Sequence, residues 1–135
     1  MIAPVCEQNS SGRYVYLPEE MKMLKLKSMS EIHWEILEKG DHYIPVELDE
    51  VLLFICPDRL IPIAEESRNT SEMDEKHLKV LGFVKTEAKY ELYQDDGYTK
   101  DYNLDEHMAK IKINRDGKVI VEGKQDIECT IYDLN

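Results

Sequence analysis

Most segments of the chain are short and are separated from one another by Gly, Pro, Asn or Asp. The clearest two lie on either side of the dipeptide Asp116-Gly117: residues 110–114 alternate polar and apolar side chains, and residues 119–121 (Val-Ile-Val) are apolar. Alternation with a period of two is typical of a strand with one buried face. Asp-Gly between two such runs predicts a hairpin with a type I′ turn, in which both central residues have positive φ. Many short strands separated by turn residues predict an all-β fold.

Other segments fit the same pattern. Pro45 removes one ladder donor, which places the strand at 42–48 at an edge or a bulge, with Ile44, Val46 and Leu48 expected on one face. Periodicity does not decide 19–39, which contains neither Gly nor Pro and fits an amphipathic helix or alternating strands. The further predicted strands are 13–17, 42–48, 51–56, 60–63, 77–84, 88–94 and 127–134.

The polar segment between residues 64 and 75 divides the chain into two parts. It is rich in charge and lacks apolar periodicity. This composition is typical of a long loop or a linker. We therefore predict one β lobe at 1–64, a linker at 65–74 and a second β lobe at 75–135.

The charge balance excludes two classes of partner. Asp and Glu number 28 against 17 Lys and Arg, which gives a formal net charge of −11. A phosphate backbone or an anionic membrane surface needs a positive protein face, so we expect no nucleic acid and no membrane partner. The longest apolar run, 51–56, is far shorter than the ~20 residues of a membrane span. The first residues have neither a basic region nor a long apolar region, so we expect no signal peptide.

Three cysteines, Cys6, Cys56 and Cys129, indicate the redox environment. Their number is odd and no two have the spacing of metal ligands. Disulfide frameworks usually have an even count, so we expect reduced and mostly buried thiols in a cytoplasmic protein. A catalytic thiol is the alternative, which would need a lowered pKa.

The remaining candidates for chemistry are carboxylates and histidines. The turn 95–97 (Asp-Asp-Gly), with Asp101 after it, offers oxygens for Ca²⁺, but it lacks the spacing of an EF-hand loop, and a solvated turn is the preferred interpretation. The histidines His33, His42, His77 and His107 form no zinc motif. Glycine-rich phosphate loops are also missing. We therefore assign no catalytic, cofactor-binding or metal-binding residue, and no cofactor.

Aromatic residues leave one binding function open. The chain has eight tyrosines and one tryptophan. Exposed Tyr and Trp faces stack on sugar rings, so Tyr14, Tyr16 or Trp34 could form a carbohydrate platform. Packing in the core is the commoner place for strand aromatics and remains the alternative.

The order of several short motifs carries more information than any one of them. The motifs are Met1-Ile2-Ala3-Pro4-Val5, Arg13-Tyr14-Val15-Tyr16-Leu17-Pro18, Glu38-Lys39-Gly40, Leu53-Phe54-Ile55, Leu60-Ile61-Pro62-Ile63 and Tyr93-Gln94-Asp95-Asp96-Gly97. In this order they resemble the region C-terminal to the barrel in glycoside hydrolase family 31, the α-glucosidase and α-xylosidase family. The resemblance covers residues 1 to about 104. It is strongest to the α-glucosidases of gut clostridia.

Three positions depart from the family pattern. Residues 56–59 (Cys-Pro-Asp-Arg) replace the usual Arg-x-Gly turn, and Asp adopts positive φ less readily than Gly. Gln94 replaces a Glu, and residues 21–24 replace an aromatic stretch. These departures put contacts of those loops with a barrel in doubt.

The resemblance implies a fold and a role. It implies strands at 21–27 and 77–84, and an antiparallel β-sandwich with a proximal lobe followed by a smaller second lobe. In that family the catalytic carboxylates lie on a (β/α)₈ barrel, which needs about 250 residues. The 135 residues of this chain cannot contain it. The chain is thus expected to be a non-catalytic accessory region that stabilises and positions a barrel, the parent being a retaining α-glucosidase.

The resemblance also implies partners. The expected partner is the catalytic barrel of the parent enzyme, and bare surface on the isolated chain would favour a homodimer. The alternatives are a stand-alone carbohydrate-binding module and an interaction subunit.

Overall fold

Eleven strands run through the part of the chain that the computed structural model describes, which is residues 1–28, 31–65, 67–94, 98, 100, 104–123 and 127–133. The strands are β1 (Gly12–Leu17), β2 (Met21–Ser28), β3 (Glu31–Leu37), β4 (Gly40–Pro45), β5 (Val51–Ile55), β6 (Arg59–Ile63), β7 (His77–Phe83), β8 (Glu87–Tyr93), β9 (Met108–Asn114), β10 (Val119–Gly123) and β11 (Glu128–Asp133). Within these ranges, helical structure is limited to a 3₁₀ turn at Thr70–Glu72 and one α-helical turn at Leu104–His107. Neither could cross a membrane. The predicted all-β class is confirmed.

The chain forms two compact units, Met1–Pro57 and Asp58–Asn135. In the first unit, β1 pairs with β4, and β2 pairs with both β3 and β5, all antiparallel. Residues 1–3 lie along the free side of β5 through a bridge between Ile2 and Leu53. The core between these two sheets contains Ala3, Val15, Leu17, Met21, Met23, Ile44, Leu52 and Phe54. Side chains from both sheets meet in one apolar layer, which is the arrangement of a β-sandwich.

The second unit repeats this arrangement with two three-stranded sheets, β10–β9–β8 and β11–β7–β6. Its core contains Leu60, Val80, Val84, Ala88, Ile111 and Ile113, with Val119, Val121, Cys129 and Ile131 packed against it. Burying an aliphatic side chain of this size contributes about 1.5–3 kcal/mol. One pair departs from the antiparallel prediction, because β11 runs parallel to β7.

The boundary between the units lies before the segment that the sequence predicts as a linker. β6, placed by the prediction in the lobe 1–64, pairs with β7 along its whole length, which makes it part of the second unit. That unit therefore spans the longer stretch of chain, whereas the sequence predicted a smaller second lobe. The assignment of 1–64 and 75–135 as proximal and distal lobes of a larger enzyme stays a prediction.

The segment 19–39, which periodicity left open, and the segment 77–84, for which the resemblance implied a strand, both contain strands in the structure. Residues 21–28 and 31–37 form the hairpin β2–β3, not a helix, and 77–83 forms β7. Leu48, however, is fully exposed in the turn after β4, because the strand ends at Pro45. The acidic turn 95–97 and Asp101 lie outside the described residues.

The β9–β10 hairpin is present, but its turn is not type I′. Gly117 has φ of 76°, whereas Asp116 is not among the described residues with positive φ. The Gly117 N–H donates to the Asn114 carbonyl at 2.9 Å, and the Asn114 N–H donates to the Lys118 carbonyl at 3.3 Å. This is the three-residue loop in which a turn is followed by a glycine in the left-handed region.

Candidate functional site

The outward side of the β1–β4 sheet carries three tyrosines. Strand alternation turns Val15 and Leu17 into the core, so Tyr14 and Tyr16 point the other way. Tyr43 lies directly opposite Tyr14 across the two strands. Their ring centroids are 4.9 Å apart with the planes tilted by 56°. Tyr14 is 79% exposed and Tyr43 51%, so this tyrosine pair (Tyr14 and Tyr43) presents aromatic surface to solvent.

Gly12 shapes the surface beside the pair. A Cβ at Gly12 would lie 2.6 Å from the Ile44 carbonyl oxygen and 2.8 Å from Cζ of Tyr43. No residue with a side chain fits there without displacement, so Gly12 allows the Tyr43 ring to lie against the backbone of β1. The hydroxyls of Ser11 and Tyr43 are 3.4 Å apart, which adds a weak polar contact on the same ring.

A pocket of about 390 Å³ adjoins the tyrosine pair. Glu7, Ser10 and Arg13 line it, beside Gly12, Tyr14 and Tyr43. The Ser10 hydroxyl donates to the Gly12 carbonyl at 2.7 Å, and Arg13 Nη1 donates to the Pro4 carbonyl. These bonds fix the groups while leaving acceptor lone pairs on Ser10 and further N–H donors on Arg13. The pocket therefore combines a carboxylate, a guanidinium and aromatic faces.

The sequence candidates for a carbohydrate platform are not all brought together. Tyr14 belongs to the pair, whereas Tyr16 is 56% exposed on the same side and does not line the pocket. Trp34 lies in β3 of the other sheet, 48% exposed, with Lys22 Nζ 4.7 Å from its ring centroid. Tyr43 was not a candidate, although its position opposite Tyr14 follows once β1 and β4 are paired.

The histidines lie at separate places. His42 Nε2 is 2.8 Å from the Glu38 carbonyl, and His107 Nδ1 is 2.9 Å from the Gln94 carbonyl. His77 stands between two carboxylates, with Nδ1 2.7 Å from Asp74 and Nε2 3.6 Å from Glu128. These contacts connect the beginnings of β7 and β11. Among the described side chains, no group of three or more could hold a metal ion.

The three cysteines are free thiols. Cys56 and Cys129 are half-buried, whereas Cys6 is exposed, contrary to the expectation of buried thiols. Burial raises the pKa of the Cys129 thiol, which makes it a poor nucleophile near neutral pH.

The second unit contains a polar cluster at the turn between β5 and β6. Asp58 has φ of 57°, and its carboxylate accepts the N–H groups of Lys85 and Thr86 and the Thr86 hydroxyl, each at 2.8 Å. The pKa of Asp58 lies below its ordinary value, chiefly because of the hydrogen bond from the Thr86 N–H and, second, because of the bond from the Thr86 hydroxyl. The Asp58 N–H in turn donates to the Phe83 carbonyl at 2.7 Å. This cluster joins the turn to the β7–β8 connection and is structural.

A second groove of about 380 Å³ lies in the same unit, near the ends of β6 and β8. Its lining is mostly apolar, with half-exposed Met73, Tyr90 and Tyr93 beside Leu78 and Leu92. Gln94 at its edge donates to the Glu75 carbonyl at 2.6 Å. It lacks the paired acidic and basic side chains that line the pocket beside the tyrosine pair.

Comparison with solved structures finds a similar fold inside a larger enzyme. The chain resembles part of a glycoside hydrolase family 31 α-xylosidase from Xanthomonas citri, with a TM-score of 0.73 at 19% sequence identity. The match covers 99% of this chain and 15% of the α-xylosidase. No protein-family model and no curated protein matches the chain.

Proposed function

We propose that this chain is a non-catalytic C-terminal accessory region of a family 31 α-glucosidase-like glycoside hydrolase, in which it stabilises and positions the catalytic barrel. The observation that carries this proposal is the fold match, which spans nearly the whole of this chain but only 15% of the α-xylosidase. The ordered sequence motifs between residues 1 and 104 give independent support. Each of the two sandwich units has its own apolar core, as a supporting role needs.

The chemistry of the parent is a further part of the proposal. The parent would hydrolyse α-glucosidic links with retention, and its preference for glucose or xylose would be set by subsites on the barrel. The clostridial type and a cytoplasmic location belong to the proposal as well, the latter supported by the free thiols.

The test begins with the coding sequence upstream of the Met1 codon. If it encodes a barrel in frame, the full protein and a version ending before Met1 can be expressed. We expect the shortened protein to lose thermal stability and α-glucosidase activity, and to regain part of both when the isolated chain is added.

A matched pair of variants controls this complementation. Phe54→Ala removes a ring that is 1% exposed in the core of the first unit, and such a change costs about 3–5 kcal/mol. It should fail to restore the barrel. Leu48→Ala changes a fully exposed turn residue and should restore it as well as the unchanged chain does. Absence of a barrel gene, or an unaffected shortened enzyme, would contradict the proposal.

For the isolated chain we also propose self-association into a homodimer. Surface that normally covers a barrel would be bare, and bare apolar surface favours association. Light scattering across a range of concentrations measures this directly. A strict monomer at the highest concentration would count against it.

Two alternative functions remain. The chain could be an interaction subunit for a separately encoded barrel, which co-purification would reveal. It could also be a stand-alone carbohydrate-binding module, and the exposed tyrosine pair favours this alternative.

A further inference from the structure

The outer side of the β1–β4 sheet departs from the usual pattern of a sandwich. Outward positions of a half-buried sheet are normally polar, because one face packs on the core and the other is solvated. Here the cross-strand positions 14 and 43 both carry tyrosine, and both rings remain more than half exposed. Core packing therefore does not account for them.

Their arrangement is also built by the local backbone. The Tyr43 ring lies against Gly12, where even a methyl group would come within 2.6–2.8 Å of other atoms. Tyr14 meets this ring at a tilt, and both tyrosines line the neighbouring pocket. The missing side chain at Gly12 thus lets the Tyr43 ring lie close to the backbone, and Tyr14 contacts that ring.

The lining also includes residues that offer hydrogen bonds of both kinds. Glu7 provides carboxylate acceptors, and Arg13, fixed by its bond to the Pro4 carbonyl, provides N–H donors. A volume of about 390 Å³ lies within the range of small-molecule sites. A lining that combines two tyrosines with an acidic and a basic residue suits a ligand with an apolar ring face and a rim of hydroxyl groups. A pyranose ring has this chemistry.

We propose that this pocket binds one pyranose unit of a neutral saccharide. The apolar face of the sugar stacks on Tyr14 and Tyr43, while its hydroxyl groups donate to Glu7 and accept from Arg13. A neutral ligand suits the lining, which has one acidic and one basic residue, and the formal charge of −11 disfavours an anionic one. The site is independent of the supporting role proposed above, since it requires no barrel.

The test is an NMR titration of the full chain with maltotriose and, separately, with cellotriose, which distinguishes α- from β-linked sugars. We expect binding with a dissociation constant of about 1 mM for one of them, and shift changes concentrated at residues 5–14 and 43. Tyr14→Ala and Tyr43→Ala should each weaken binding about tenfold, as loss of an aromatic contact implies. Tyr16→Ala is the matched control, on the same side of the sheet but outside the pocket, and should change binding less than about twofold.

Glu7→Ala keeps the test decisive if a tyrosine variant does not fold, because Glu7 is exposed and outside any strand. Its loss should weaken binding about tenfold through a missing charged hydrogen bond. Three results would overturn the proposal: no shift changes at about 10 mM of either sugar, binding unaffected by the Tyr14, Tyr43 and Glu7 variants, or a polyproline peptide binding at the tyrosine pair more tightly than both sugars.

Discussion

Asp58 shows how a residue other than glycine can adopt a left-handed conformation in a tight turn. Its φ of 57° lies in the left-handed region, which costs an ordinary residue about 1–2 kcal/mol. Asp tolerates this conformation better than most residues when its carboxylate bonds to nearby backbone. Here that carboxylate accepts three hydrogen bonds from Lys85 and Thr86. The side chain thus offsets the strain by joining the β5–β6 turn to the β7–β8 connection.

Substitutions at Asp58 should separate the effect of its side-chain hydrogen bonds from the effect of its strained backbone. Asp58→Gly loses the three bonds but relieves the strain, whereas Asp58→Ala loses the bonds and keeps it. By analogy with a lost capping side chain, we expect Asp58→Gly to lower the unfolding free energy by about 1 kcal/mol, and Asp58→Ala by about 1 kcal/mol more. Urea denaturation measures both. Asp116→Ala, in a turn without positive φ at that residue, is the control. Equal losses for Gly and Ala would show that strain plays no part.

The same carboxylate makes stability depend on pH. The bonds from Thr86 keep the pKa of Asp58 in the folded state below its unfolded value of about 3.9. The folded state therefore binds fewer protons, so the stabilisation is complete above the unfolded pKa and is lost as pH falls through the folded pKa. Asp58→Asn keeps the shape without the charge. The stability difference between the protein and this variant should shrink between about pH 5 and about pH 2 in urea titrations. Parallel curves would contradict this.

At single positions the sequence was only partly informative. The Asp at position 58, where the resembled pattern has Gly, predicted a rebuilt turn, but Asp58 has a φ of 57°, so it keeps the left-handed conformation that Gly favours. Tyr14 was a candidate for ligand contact, but Tyr43 was missed. Its role depends on cross-strand register, which is a long-range property that local patterns do not contain.

Among the elements, the β9–β10 hairpin illustrates the choice between turn types. Asp-Gly suits a two-residue turn, yet Asn114 stabilises a longer loop, because its Oδ1 accepts the Lys118 N–H at 2.8 Å. The local side-chain bond thus selects the three-residue loop, and Gly117 alone takes positive φ.

This loop predicts an order of effects at two positions. Gly117→Ala should lower the unfolding free energy by about 1 kcal/mol because of the left-handed backbone, while Gly117→Asn should lower it less. Asn114→Ala should cost about 1 kcal/mol, because the hydrogen bond from the Lys118 N–H to the Asn114 side chain is lost. Thermal unfolding of the three variants measures the order. Asp116→Gly is the control. It would stabilise a type I′ turn, in which residue 116 needs positive φ, and we expect no stabilisation because Asp116 does not have positive φ here.

Strand positions were more predictable than strand partners. Alternation located β8 and β9, because a strand with one buried face has a period of two. The Asp-Gly turn located β10, and β1 was predicted from Tyr and Val between a turn and Pro18. Alternation left 19–39 undecided, since Lys22-Met23-Leu24-Lys25 fits both periods, and the resemblance was needed to choose strands. No local sequence pattern indicated that β11 runs parallel to β7 or that β6 belongs to the second unit. Both features depend on strand pairing between residues that are distant in sequence.

For the whole molecule, the central question is whether these sandwiches can do chemistry without a barrel. A retaining glycosidase needs two carboxyls about 5–5.5 Å apart, of which one has a raised pKa so that it can act as an acid. In the described part of the chain, the carboxyls whose pKa is clearly displaced are Asp58, Asp74 and Glu122, and all three are lowered, chiefly by Thr86, His77 and Lys112. Such groups are held as anions by structural bonds and are unsuited to protonating a leaving group.

We therefore expect the purified chain not to hydrolyse chromogenic α-glucosides or α-xylosides. The measurement is product release compared with buffer alone across the acidic and neutral range, with a complete family 31 enzyme as the positive control. Trace activity from a contaminating hydrolase would be unchanged in Phe54→Ala protein prepared in the same way, whereas activity belonging to this fold would disappear with the core of the first unit. Hydrolysis that vanishes in that variant and has a bell-shaped pH profile would show that two carboxyls of this chain do act together, and the accessory role would have to be abandoned.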